Sequence, residues 1–275
     1  MLEDAVVAWD GSTRARAALR WTLGRPWIER IHLVRVLGED DSGYSIEAGC
    51  RLALEGDLER LRADHPRLEI SGRLVHGDVE EVLATCARTR SLLVLGTGGP
   101  AAFMLPHRSA MLARLARDTD GPIALVPLGA EDANGPVMAG IDGTPAGVAA
   151  AQIASAVASA QGAAVVTVHA VGRFSVSPSR LESAPEGLAH DLAAHFPHLL
   201  VRHEEVRGDV KEELTRSGAT ASLLVLGRHA LPGPGAEVER NAVLGAPCPV
   251  LLVRETDALW VSRAGSDVSS GHEVH

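Results

Sequence analysis

Two short stretches hold residue types that can handle a small polar ligand. Asp10-Gly11-Ser12 follows the apolar run Ala5–Ala8, and Gly96-Thr97-Gly98-Gly99 follows Ser91–Leu95. A carboxylate at Asp10 can accept hydrogen bonds from an adenine amino group or a ribose hydroxyl. The glycines allow close backbone approach and positive φ. A helix is expected to start near Ser109, where free N–H groups and a partial positive charge suit phosphate. Neither stretch is specific alone. Asp-Gly-Ser is also a structural Asx turn or helix cap, and a glycine-rich strand exit is also a plain loop.

Stepping outward, strands must carry these turns. Ala5–Ala8 reads as a first strand, and Ser12 can cap the helix whose apolar stripe is Ala15, Ala18, Leu19, Thr22 and Leu23. Ile31–Leu37 and Leu68–Val75 read as strands, with Leu54, Leu58 and Leu61 marking a helix between them. Val79, Val82, Leu83, Cys86 and Ala87 fall on one face of a third helix. Ser91–Leu95 is apolar at consecutive positions, as a strand covered on both faces should be. Met111, Leu112, Leu115 and Ala116 mark a fourth helix, and Ile123–Val126 a fifth strand. Alternating strands and helices predict a doubly wound five-stranded parallel α/β sheet. Such sheets take ligands beyond their strand carboxyl ends, where the strand order switches.

The chain then repeats. Gly77-Asp78-Val79 returns as Gly208-Asp209-Val210, and Leu92-Leu93-Val94-Leu95-Gly96 as Leu223-Leu224-Val225-Leu226-Gly227. Asp10-Gly11-Ser12 returns as Asp142-Gly143-Thr144, and Gly121–Val126 as Cys248–Val253. Four landmarks recur in one order, so the 275 residues are read as two copies of one domain. The first spans 1–130 and the second 137–255. Residues 131–136, with a Gly-Pro breaker, form the linker, and 256–275 form a polar, mobile tail.

Composition narrows the functions. The formal charge of -9 and 3% aromatic content disfavour nucleic-acid binding, which needs basic surfaces or stacking platforms. No apolar stretch is long enough for a membrane helix. The N-terminal MLEDAVVAWDG lacks signal-peptide features, and the three cysteines form no CxxC pair. A cytoplasmic location follows as the expectation. Cys86 sits on an apolar stripe and is expected in the core, while an exposed Cys50 would be needed for a redox sensor. Trp21 and Trp27 are expected to pack. His190, His195 and His198 are interrupted by Pro197 and share no metal-binding face. His107 and His229 lie near the two loops. No Ser/His/Asp set, carboxylate pair or Walker loop is recognisable, so no catalytic residue and no metal ligand are assigned.

The repeat resembles the universal stress protein family, and the chain resembles a tandem member. The matching residues are Ala5–Ser12, Gly77-Asp78, Leu92–Gly99 followed by Phe103, and Gly121–Val126, with Asp142, Gly208-Asp209, Leu223–Gly227 and Ala246–Val253 in the second copy. The resemblance implies a Rossmann-like, adenine nucleotide α-hydrolase-like fold. It also implies an intramolecular pseudo-dimer through the fifth strands, which contain Val126 and Val253, and it allows a homodimer. It implies binding of ATP or another adenine nucleotide, with Mg²⁺ alongside, in a stress-response sensor with at most slow hydrolysis. Asp10 would meet the base or ribose, Val36 would wall the adenine, and Gly96, Gly99 and Ser109 would hold phosphates. Leu95 and Arg108 belong to the same set, with Ala8, Trp9, Ala110, Asp142 and Gly227 at its margin.

Departures from the family pattern matter. ATP-binding members carry Gly-x2-Gly-x9-Gly-Ser/Thr, but Ser109 and Ala110 stand at the last two positions here. Arg108 and Ser109 could replace those contacts, or Ser109 could crowd the phosphate. In the second copy Ala230 replaces the second glycine, Leu231-Pro232-Gly233-Pro234-Gly235 rebuilds the loop, and Glu237 and Glu239 would repel phosphate. Nucleotide is therefore expected mainly in the first copy. The alternative is a stress-response scaffold acting through protein contacts.

Overall fold

The computed structural model describes residues 3–38, 43–87, 91–98, 111, 114–171, 185–208, 210–228 and 246–258. The chain divides into two compact units, residues 2–131 and 132–275.

The first unit runs β1 (Asp4–Ala8), α1 (Thr13–Leu23), β2 (Arg30–Leu37), α2 (Tyr44–Asp64), β3 (Glu69–His76), α3 (Val79–Cys86), β4 (Ser91–Thr97), α4 (114–118) and β5 (Ile123–Pro127). Its strands are parallel in the order β3-β2-β1-β4-β5. The order reverses between β1 and β4, which opens a crevice above their carboxyl ends. The second unit runs β6 (Val137–Ile141), α5 (Pro145–Gln161), β7 (Val165–Val171), α6 (Pro185–His195), β8 (Val201–Arg207), α7 (Val210–Gly218), β9 (Leu223–Gly227) and β10 (Val250–Val253). It is parallel in the order β8-β7-β6-β9-β10, with its reversal between β6 and β9. The doubly wound parallel architecture expected from the alternation is thus present in each unit.

The core is the apolar run of each interior strand. Ile31, Leu33, Leu92, Leu93 and Ile123 are fully buried in the first unit, and Leu223, Leu224 and Leu251 in the second. Parallel strands covered by helices on both faces need such runs. Trp21 and Trp27 are buried, and the Arg25 guanidinium lies 5.1 and 5.7 Å from their ring centroids. They pack, as expected.

α2 contains Leu54, Leu58 and Leu61 as expected, and buries the first two while Leu61 is half-buried. Two details differ from the sequence reading. On α3 only Leu83 is buried, and Cys86 is half-buried rather than core. This helix is eight residues long and seats just one turn against the sheet. Cys86 lies at its margin, where Arg73 Nη2 on β3 donates to Sγ at 2.7 Å. Finally, residues 256–258 are not tail. Glu255–Ala258 forms a 3₁₀ turn packed on α5, with Asp257 fully buried and its Oδ2 accepting from the Arg254 N–H at 2.7 Å. A polar sequence concealed an anchored carboxylate. The rest of the predicted tail, 259–275, lies outside the described residues.

Candidate functional site

The end of β1 is built by local chemistry. Gly11 takes φ +76°, which bends the chain out of the strand. The Ser12 N–H donates to Asp10 Oδ1 at 2.8 Å, closing an Asx turn. Ser12 Oγ then accepts from the Ala15 N–H at 3.2 Å and caps α1. The structural role of this turn leaves the Asp10 side chain exposed at the strand end.

Around it lies a cavity of about 340 Å³. The expected residues Ala8, Trp9, Asp10, Val36, Leu95 and Gly96 all line it. Ser12, Thr97 and Gly98, from the acidic turn and the glycine stretch, line it too. Arg14, Ala15, Val34, Val79, Leu83 and Met111 complete the wall and were not singled out as ligand residues from the sequence. One signal for them existed. Val79 is an apolar residue directly after the Gly77-Asp78 turn, and it remains 41% exposed because its side of α3 faces the cavity rather than the core. Trp9 is buried, and its Nε1 donates to Asp57 Oδ2 at 3.2 Å, which ties the cavity wall to α2. Arg60 also pairs with Asp57.

Gly96 has a packing duty that its place in a glycine loop does not reveal. A Cβ there would lie 2.0 Å from the Arg14 carbonyl oxygen. The bare backbone lets β4 touch the first turn of α1. Gly227 does the same in the second unit, where a Cβ would lie 2.6 Å from the Ala146 carbonyl carbon. Both glycines are therefore helix–strand packing glycines, whatever else they contact. Gly99, Arg108, Ser109 and Ala110 lie outside the described residues, as do His107, Phe103 and, in the second copy, His229 to Gly235, Glu237 and Glu239.

The second unit keeps the turn and changes its surroundings. Asp142 Oδ1 accepts from the Thr144 N–H at 3.0 Å and from Thr144 Oγ1 at 2.6 Å. Gly143 has φ +76°, matching Gly11. Arg14 of the first unit is replaced by Ala146. Strand pairing puts His169 where the first unit has Arg35, since Val34 pairs with Ala8 and Val168 with Gly140. Burial, and then neighbouring His203, hold the His169 pKa below its usual value, against weaker opposing pulls from Glu205 and Asp142. The imidazole is neutral at pH 7, so two cationic positions of the first unit are uncharged in the second. Among the described residues no group of three or more His, Cys, Asp or Glu could hold a metal ion.

Fold and cavity together define the class: a tandem pair of doubly wound α/β units, the first with a ligand-sized cleft at its switch point. Residues 134–254 match the family model described as the universal stress protein family. A universal stress protein of Mycobacterium tuberculosis is 29% identical over 231 residues, covering 76% of this chain and 71% of that protein. A second from the same organism is 27% identical over 238 residues, covering 79% of each. Among solved structures, a universal stress protein from Archaeoglobus fulgidus superposes with a TM-score of 0.70 at 13% identity, covering 91% of this chain and 96% of that one. A Pseudomonas aeruginosa protein does so with a TM-score of 0.62 at 15% identity, covering 97% and 98%. The two structures bear on fold alone. The chain is thus similar to universal stress proteins, over residues 134–254 by the family model and over about three quarters of its length by these relatives.

Proposed function

We propose that the first unit binds ATP or another adenine nucleotide and that the chain acts as a stress-response sensor or regulator in the cytoplasm. The observation that carries this reading is the cavity at the β1/β4 reversal, bounded by Asp10, Val36, Leu95 and Gly96. Its volume falls in the range of small-molecule sites, roughly 300–1,000 Å³. Apolar walls from Val34, Val36, Leu83 and Leu95 suit an adenine ring, and Asp10 at the mouth suits a hydroxyl or amino donor. The uncharged Ala146 and His169 positions support placing the nucleotide in the first unit rather than the second. Three free cysteines support a reducing compartment. Among the described residues no helix is long and apolar enough to cross a membrane.

Among the described residues Asp10 is the one carboxylate lining the cavity, and it already accepts a turn hydrogen bond. The reading therefore assigns binding, with turnover no faster than slow hydrolysis. The test is to denature protein purified without added nucleotide and chromatograph what it releases, then titrate wild type and Asp10→Ala with ATP. Retained adenine nucleotide, or saturable binding weakened by Asp10→Ala, is the expected result. No release and no saturation up to millimolar ATP refutes it. A scaffold role has its own support in the outward face of α2, where Tyr44 (91%), Ile46 and Leu52 (72%) are exposed. It is the reading left standing if nucleotide fails.

A further inference from the structure

The cavity has a charge feature that the glycine loop does not explain. Arg14 lies on its wall, in the first turn of α1, and that turn carries no acidic residue. Among the described residues no hydrogen bond or ion pair engages its guanidinium, although Asp10 stands four residues earlier. Asp10 instead accepts from the Ser12 N–H. Arginines beside carboxylates ordinarily pair; Arg20, Arg30, Arg51 and Arg60 of this unit all do. The same cavity is lined by Thr97, only 6% exposed, whose Oγ1 has no hydrogen-bond partner among the described residues. A buried hydroxyl without a partner is costly, and a bound oxygen-rich group can supply one.

The partnered and partnerless groups have different meanings. An arginine held for fold stability has its partner in the protein, whereas one left open at a cavity matches the fixed fork that pairs with phosphate oxygens. The positive end of α1 adds to the same field. The second unit has Ala146 at this position, so the feature is specific to the first.

We propose that Arg14 reads phosphate in this cavity, so that the site selects phosphorylated nucleosides over the unphosphorylated nucleoside. The proposal rests on the nucleotide reading above and adds the group that discriminates within it. Val36 and Asp10 serve base and sugar, which ATP, AMP and adenosine share. Arg14 serves what adenosine lacks.

The experiment is calorimetric titration of the full chain with ATP, AMP and adenosine, on wild type, Arg14→Ala and Arg14→Lys. Alanine is the best helix former, so α1 should persist, and far-ultraviolet circular dichroism checks that it does. The expected result is ATP and AMP weakened at least tenfold by Arg14→Ala, adenosine unchanged within twofold, partial recovery in Arg14→Lys, and a reduced salt dependence of ATP binding. Equal loss for all three ligands overturns the proposal and makes Arg14 structural. ATP bound equally by wild type and Arg14→Ala overturns it while leaving the nucleotide reading intact. Wild type that binds neither ATP nor adenosine overturns both.

Discussion

Replacing Gly96 by alanine separates packing from ligand binding. The added methyl would lie 2.0 Å from the Arg14 carbonyl oxygen and 2.3 Å from its carbon. Nonbonded carbon contacts prefer about 3.5–4.0 Å, so α1 and β4 must part by more than 1 Å. Overpacking that side chains can absorb costs about 1–3 kcal/mol. Here the obstacle is backbone at the head of a helix, so about 3 kcal/mol is the expected loss. For a unit of roughly 130 residues the unfolding entropy near the midpoint is about 0.27 kcal/mol/K, so its Tm should fall by about 10 °C. Differential scanning calorimetry of the full chain reads this, and Gly227→Ala provides the matching perturbation in the second unit, where the nearest atoms lie at 2.6 and 2.7 Å. Gly56→Ala in α2 is the control. Its Cβ would meet nothing within 4 Å, so removing a helix-interior glycine should raise stability by about 0.5–1 kcal/mol. A Gly96→Ala protein that melts within 2 °C of wild type but loses nucleotide would refute the packing argument and make Gly96 a ligand glycine only.

Three further outcomes are expected. Burial pushes the Asp257 carboxyl up to about 6, against the Arg254 N–H and the charges of Arg228 and Arg254. The unfolded chain ionises first, so between about pH 4 and 6 the native state holds the extra proton and stability falls as pH rises, by up to about 3 kcal/mol; Asp257→Asn should flatten that slope in denaturant melts across this range. Burial pushes the Cys248 thiol up to about 12, so a thiol reagent at pH 8 should label half-buried Cys50 and Cys86 first and reach Cys248 only on unfolding; prompt labelling of all three would contradict its burial. Asp78 caps α3 by accepting from the Glu80 and Glu81 N–H groups at 3.1 and 3.0 Å, so Asp78→Ala should cost about 1 kcal/mol in thermal melts and Asp78→Asn should recover most of it.

The fold was readable because its signals are local and doubled. The interior strands announce themselves by runs of consecutive apolar residues, which β3 and β8 lack, and two turns of each copy by Asp-Gly and Gly-Asp. The recurrence of Gly77-Asp78 and Asp10-Gly11 removed the ambiguity that each has alone. The tail boundary was misread at Asp257, because sequence polarity does not distinguish an exposed carboxylate from one anchored under a helix. Cys86 was misread for a related reason. Helical spacing identifies a face, but it does not say how many turns of that face reach the sheet.

The candidate site divides along the same line. Asp10 and Gly96 were legible because they sit at strand ends, where topology alone places ligands in a doubly wound sheet, while Val36 and Leu95 entered through the family resemblance. Arg14, Val79, Leu83 and Met111 were not, because they reach the cavity from helices and share no motif with the strand ends. Residue type and spacing thus determined the repeat, the parallel α/β architecture and the acidic turn, all of which arise from short-range patterns of apolar and turn residues. Tertiary packing alone decided the close-packing role of Gly96, an Arg14 side chain without a partner among the described residues, and the burial of Asp257. Each depends on what another segment of chain brings within a few ångströms, and no local pattern encodes that distance.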